Sequence, residues 1–114
     1  MILTAMGKGT NAGALYPDFI GRRAIFVGSG TGPTSSSSTV GDSITLAISN
    51  YYIDAVLDGA STDGTTFIQA FPNGIGPRAT WSLFYYATSG PTAPLNGSNL
   101  STKTFVISAI VGQF

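Results

Sequence analysis

The chain contains no cysteine, no histidine and no glutamate. Each absence removes a chemistry. Without cysteine there is no disulfide framework, no thiolate nucleophile and no zinc–thiolate site. Without histidine the commonest general base and the commonest metal ligand at neutral pH are missing. Charge is scarce too: five Lys/Arg face five Asp, 9% of 114 residues with a net charge of zero, where ordinary domains carry roughly 25%. No basic surface is available for nucleic acid or for an anionic membrane. No apolar run is long enough for a transmembrane helix. "MILTAM", followed at once by "GKG", is read as neither a signal peptide nor an anchor.

What remains is apolar and hydroxylated. Hydrophobic residues make up 43% of the chain, and Ser, Thr and 15 Gly supply most of the rest. A length of 114 residues suits one domain with a real core and is too short for two. A free monomer keeps itself soluble with interspersed charge. A surface of hydroxyls, backbone and apolar atoms suits a protein packed against copies of itself or a partner; an uncharged soluble domain is the plainer alternative.

Residues 1–23, "MILTAMGKGTNAGALYPDFIGRR", show no sustained period. Glycines and Pro17 interrupt scattered large apolar residues, among them Leu15, Tyr16, Phe19 and Ile20. Such a lead cannot bury those groups within itself. It either lies across the core of its own domain or reaches onto a neighbour as an arm, and the arm is the expectation adopted. Residues 24–114 form the domain proper. "AIFVG" reads as a short buried strand, and "SGTGPTSSSSTVGD" as an exposed, low-complexity loop. "SITLAIS" alternates, with Ile44, Leu46 and Ile48 on one face, as a half-buried strand does.

In "YYIDAVLD" period two groups Tyr51, Ile53, Ala55 and Leu57 against Tyr52, Asp54, Val56 and Asp58. "GASTDG" is a turn, and "TTFIQAF" a strand ended by "PNGIGP". In "ATWSLFYYA" Trp81, Leu83 and Tyr85 share a face, with Phe84 and Tyr86 opposite. After the loop "TSGPTAPLNGSNLS" comes "KTFVISAIV", with Phe105, Ile107, Ala109 and Val111 as its apolar face. No window carries a helical period free of Gly or Pro. The expectation is an all-β domain: an antiparallel β-sandwich or small β-barrel of six to seven strands, with an irregular N-terminal arm.

Three of the five acids lie in "YYIDAVLDGASTDG". Asp54 and Asp58, four residues apart on one strand face, hold their Cα atoms about 13 Å apart at ~3.3 Å per residue. That is too far to share a proton, and long for an inverting glycosidase pair. "DGASTDG" lacks the alternating oxygen ligands and closing Glu of a calcium loop; Asp–Gly pairs are what a turn uses. "GKGT" and "VGSGTGP" lack the helix that a phosphate-binding loop needs, and Ser29 has no histidine to serve it. No catalytic residue, cofactor or metal is therefore implied. The aromatics Tyr51, Tyr52, Trp81, Tyr85 and Tyr86 are either core and cross-strand pairs or a platform on which a sugar stacks. Arg22 and Arg23, the only doubled charge, either anchor the arm on acidic groups of a partner or end the lead in solvent.

The glycine-rich lead, the strands "VGDSITLAIS" and "YYIDAVLDGASTDGTTFIQAF" and the hydroxyl-rich loops together resemble the small accessory structural proteins of tailed-phage virions, in particular capsid cement (decoration) proteins. That resemblance implies a non-enzymatic virion protein, made in the host cytoplasm. It would sit on the capsid surface as a symmetric homo-oligomer, often a trimer, and clamp neighbouring subunits of the major capsid protein. Leu15, Tyr16, Phe19, Ile20, Arg22 and Arg23 are then the expected partner-binding residues. A glycan-binding β-sandwich and a phage tail or baseplate adaptor remain the alternatives.

Overall fold

The computed structural model describes residues 1–5, 23–74 and 79–113. Its elements are all strands: β1 (Ile2–Ala5), β2 (Arg23–Thr31), β3 (Asp42–Ser43), β4 (Thr45–Leu46), β5 (Tyr51–Ser61), β6 (Thr66–Asn73), β7 (Thr80–Ala87) and β8 (Thr104–Gln113). They form one sheet in the order β3-β7-β6-β5-β8-β2-β1-β4. Every pairing is antiparallel except β1 with β4, which is parallel. The all-β expectation holds, in the form of a nearly closed, barrel-like sheet.

Closure explains why "SITLAIS" is not one strand. Its alternation is real, but the segment serves both ends of the sheet. Asp42 and Ser43 pair with Leu83 and Ser82 of β7, whereas Thr45 and Leu46 pair with Ile2 and Leu3 of β1. Ile44, the single residue between them, turns into the core and is 8% exposed. The backbone thus changes hydrogen-bond partner within one residue, which a period-two pattern does not reveal.

The amino terminus is fastened to the same seam. Thr45 N–H donates to Met1 O at 2.9 Å, and Ala47 N–H to Leu3 O at 2.8 Å. The terminal ammonium lies 3.4 Å from Asp42 Oδ2 and donates to Ser43 O at 2.5 Å. Leu3 is completely buried. An arm running from residue 1 is therefore corrected for residues 1–5, which belong to the sheet. The lead was right to be apolar, because part of it is core. Arg23, placed at the end of the lead, opens β2.

The core wall is where periodicity reads best. Phe105, Ile107, Ala109 and Val111 of β8 are all fully buried, with Leu83 and Tyr85 of β7 facing them across the barrel. The rings of Tyr85 and Phe105 meet edge-on at 5.1 Å. On β2, Ala24, Phe26 and Gly28 point inward, while Ile25 and Val27 are 47% and 39% exposed. "AIFVG" is thus a half-buried strand with an apolar outer face.

β5 departs most from its pattern. The register against β8 slips between Ile53 and Ala55 and again between Val56 and Asp58, so Asp54 and Leu57 are bulged residues without opposite partners. Each extra residue flips the faces that follow. Opposite the buried β8 face now stand Ile53, Val56, Gly59 and Ser61. Val56 packs on the core and Leu57 is 55% exposed, the reverse of simple alternation. Gly59 packs closely there: a Cβ would lie 3.1 Å from Ile107 and 3.3 Å from Ile68.

The serine-rich loop is not the exposed, unattached segment its composition suggests. Ser36 N–H donates to Ser98 O at 2.9 Å and Gly97 N–H to Ser36 O at 2.7 Å. The Ser36 hydroxyl donates to Leu95 O at 2.9 Å and accepts from Ser98 N–H at 3.1 Å. Leu100 N–H reaches Pro33 O at 2.8 Å. One serine of the run, 3% exposed, clasps the two long loops together.

Candidate interaction surfaces

Among the described residues, each acid is occupied within the fold or at its rim. Asp54 accepts from Arg23 Nε at 2.5 Å, so this arginine is engaged by its own chain. That hydrogen bond, with the charge behind it, raises the guanidinium pKa further. Leu15, Tyr16, Phe19, Ile20 and Arg22 lie outside the described residues. Asp63 organises the β5–β6 turn: its Oδ1 accepts from Ser61 Oγ at 2.6 Å, Thr65 Oγ1 at 2.7 Å and Thr65 N–H at 3.0 Å. Its Oδ2 pairs with Lys103 Nζ at 2.7 Å. Lys103 first, then these hydroxyls and the amide, hold the Asp63 carboxyl well below the usual range. Asp42 accepts from the Tyr85 hydroxyl at 2.7 Å. Burial, and then that carboxylate, push Tyr85 far above its ordinary value. Among the described residues no three acids gather as a metal site would need.

The aromatics divide. Tyr85 is core, and Tyr86 stacks on Phe67 at 5.3 Å. Tyr51, Tyr52 and Trp81 instead line a cavity of ≈ 370 Å³ with Ile44, Thr45, Leu46, Ile53, Ala79 and Thr80. Trp81 Nε1–H donates across it to Ile53 O at 3.3 Å. Tyr51 and Trp81 also pack against the core.

A charge-poor surface is formed by the outward face of β1, β2, β8 and β5. Ladder register brings Ile25, Ile110 and Ala55 into one row, and Val27, Ser108 and Asp58 into the next. Then come Thr4, Ser29, Val106 and Ala60, and finally Ile2 beside Thr31 and Thr104. Leu57 stands beside them on its bulge. Charge is confined to the margin, in the Arg23–Asp54 pair and Asp58. An antiparallel sheet with one face on the core ordinarily turns polar residues outward; here the outer face is aliphatic and hydroxylated. The sequence signal existed in "AIFVG", whose two phases are both apolar, but a fully buried strand explains that run equally well.

No family model, curated protein or solved structure matches this chain.

Proposed function

We propose that this protein is a non-enzymatic structural component of a virion that lies against other protein. In its most specific form it binds the outer surface of a phage capsid as a symmetric oligomer, a trimer in the family it resembles, and clamps neighbouring capsid subunits. The observation supporting contact with protein is the charge-poor outer face, where Ile2, Ile25, Val27 and Leu57 are between 39% and 66% exposed. Contiguous exposed apolar surface is characteristic of protein interfaces. Full burial of such a side chain contributes about 1.5–3 kcal/mol, and these are already partly covered. Four of them offset only part of the rigid-body entropy of association, estimated at about 4–15 kcal/mol. Symmetric repetition converts such modest contacts into avid binding. Residues 6–22 connect β1 to β2 in the chain, and the resemblance assigns Leu15, Tyr16, Phe19, Ile20 and Arg22 among them to the same contact.

The test has two parts. Light scattering should give more than the monomer mass, and binding to purified capsids should fall at least tenfold in an Ile25→Lys/Val27→Glu variant, about 1.4 kcal/mol. Replacing residues 7–21 with a flexible linker tests the segment. The linker must span five residues of strand, about 17 Å at ~3.3 Å each, so eight Gly/Ser residues suffice. A monomer at every concentration that ignores capsids defeats the proposal.

A second reading, a glycan-binding module, is favoured by the cavity of Tyr51, Tyr52 and Trp81. Trp81 is the only tryptophan, so its fluorescence on titration with sugars reports that cavity alone. No change across a panel of sugars removes this reading.

A further inference from the structure

β5 and β6 are joined by a tight turn, yet their ladder contains one pair, Ala60↔Phe67. Beyond it the strands diverge, β5 following β8 and β6 following β7. The hydrogen-bond alternation identifies which groups face the opening. Thr88 N–H donates to Thr65 O at 2.9 Å, so odd-numbered residues of β6 address β7, and Ala70 addresses β5. Thr62 N–H donates to Thr104 O at 2.9 Å, which points Gly59 towards β6. After the bulges, Val56 and Ile53 take that side. Ile53 O is engaged by Trp81, and Gly59 N–H by Asp58 Oδ1 at 2.8 Å. The Asp58 carboxylate therefore takes the amide that a continued hairpin would give to β6. Val56 and Ala70 are left facing each other without a ladder between them.

This opening is a cavity of ≈ 310 Å³ lined by Val56, Leu57, Asp58, Ile68, Gln69, Ala70 and Phe71. Phe71 and Leu57 are 50% and 55% exposed at its lips. Among the described residues no cation pairs with Asp58. Pro72 stands at the next slot-facing position of β6, where a missing N–H breaks no β7 pairing; proline is tolerated on such an edge.

We propose that the slot between β5 and β6 is a strand-addition site, which takes an extended segment of a partner polypeptide carrying Lys or Arg opposite Asp58 and apolar residues against Leu57 and Phe71. The partner's backbone bonds to Ala70 and completes the interrupted ladder, the mode in which main chain gives affinity and alternate side chains give specificity. The basic residue answers Asp58, the acid of the slot, which no cation among the described residues satisfies. This goes beyond the capsid reading: the slot shares Leu57 and Asp58 with the margin of the outer face, but its own marker is the Ala70 amide and that of the outer face is the Val27 amide, so the two readings fail separately.

The probe is a nine-residue blocked peptide alternating Val and Thr with a central Lys, compared with its norleucine and Glu versions. Amide hydrogen exchange of the full chain is followed by NMR. At a peptide concentration about ten times Kd, the Ala70 amide should exchange about tenfold more slowly, while the Val27 amide is unchanged. The Lys peptide should bind about two- to fivefold tighter than the norleucine one, as exposed ion pairs do. Asp58→Asn keeps the acceptor for Gly59 N–H and should abolish that preference. Ala70→Pro removes the slot-facing donor and should weaken binding of the Lys peptide at least tenfold; if it does not fold, Leu57→Lys at the exposed lip should weaken binding instead. An Ala70 amide untouched by all three peptides overturns the proposal, as does binding whose protection falls on the Ile25–Val27 face.

Discussion

Leu3→Ala tests whether the first strand is structural. Leu3 is fully buried between β2 and β4, and its carbonyl accepts from Ala47 N–H. Truncating a buried leucine costs about 2–5 kcal/mol, the spread reflecting how far the site collapses around the cavity. With a urea m-value of about 1.5 kcal/mol/M, the midpoint should fall by about 1–3 M. For 114 residues, about 2.1 cal/mol/K per residue makes each kcal/mol worth about 4 °C in Tm. A fall of about 10–20 °C is expected. The control sits next door: Ile2 points outward and is 66% exposed, so Ile2→Ala should change stability by less than about 0.5 kcal/mol. Urea melts followed by Trp81 fluorescence and by circular dichroism give both values. If Leu3→Ala is as mild as Ile2→Ala, the placement of β1 in the core is wrong, and residues 1–5 return to the arm.

Ser36→Ala strands Ser98 N–H and Leu95 O at a buried site and should cost about 1–3 kcal/mol, whereas Ser35→Ala, exposed one residue earlier, should be silent; paired thermal melts decide it. Asp63 has its pKa lowered in the fold, so its contribution is whole above the unfolded value near 4 and is lost as pH falls below it. Carboxyl NMR should find Asp63 still ionised below the ordinary aspartate value near 4, and Lys103→Met should move it back towards that value. Tyr85 is shifted the other way, so its contribution is whole below about pH 10 and is lost as pH rises beyond. Stability above pH 10 should fall more steeply in the native chain than in Tyr85→Phe, which at neutral pH should itself lose about 1–2 kcal/mol with the bond to Asp42. Parallel alkaline curves for the two proteins would refute the assignment.

How legible the fold was depended on what each residue's neighbours could override. The face Phe105, Ile107, Ala109 and Val111 followed from alternation alone, because β8 is central and unbulged between β2 and β5. Leu83 and Tyr85 followed for the same reason. β5 did not, since its two bulges arise where one strand must follow β8 while leaving β6, a demand made by the closing sheet. Leu57 therefore went outward and Val56 inward although their side chains differ by one methylene. Of the candidate surfaces, the aromatic cavity was half visible: Tyr51, Tyr52 and Trp81 could be named, but not separated from the buried Tyr85.

Composition and period by themselves determined an all-β, charge-poor chain with alternating apolar faces. Those are properties of residue types and of spacing two, and no tertiary contact alters them. Only the tertiary structure decided that Ile44 closes the sheet and that one serine in four becomes a buried clasp. It alone decided that the hairpin of β5 and β6 opens after a single pair. These depend on which backbone amide finds which carbonyl across 40 or more residues, as Ser36 finds Ser98. Every residue but proline carries the same backbone donor and acceptor, so which amide pairs with which carbonyl is not written in the residue types.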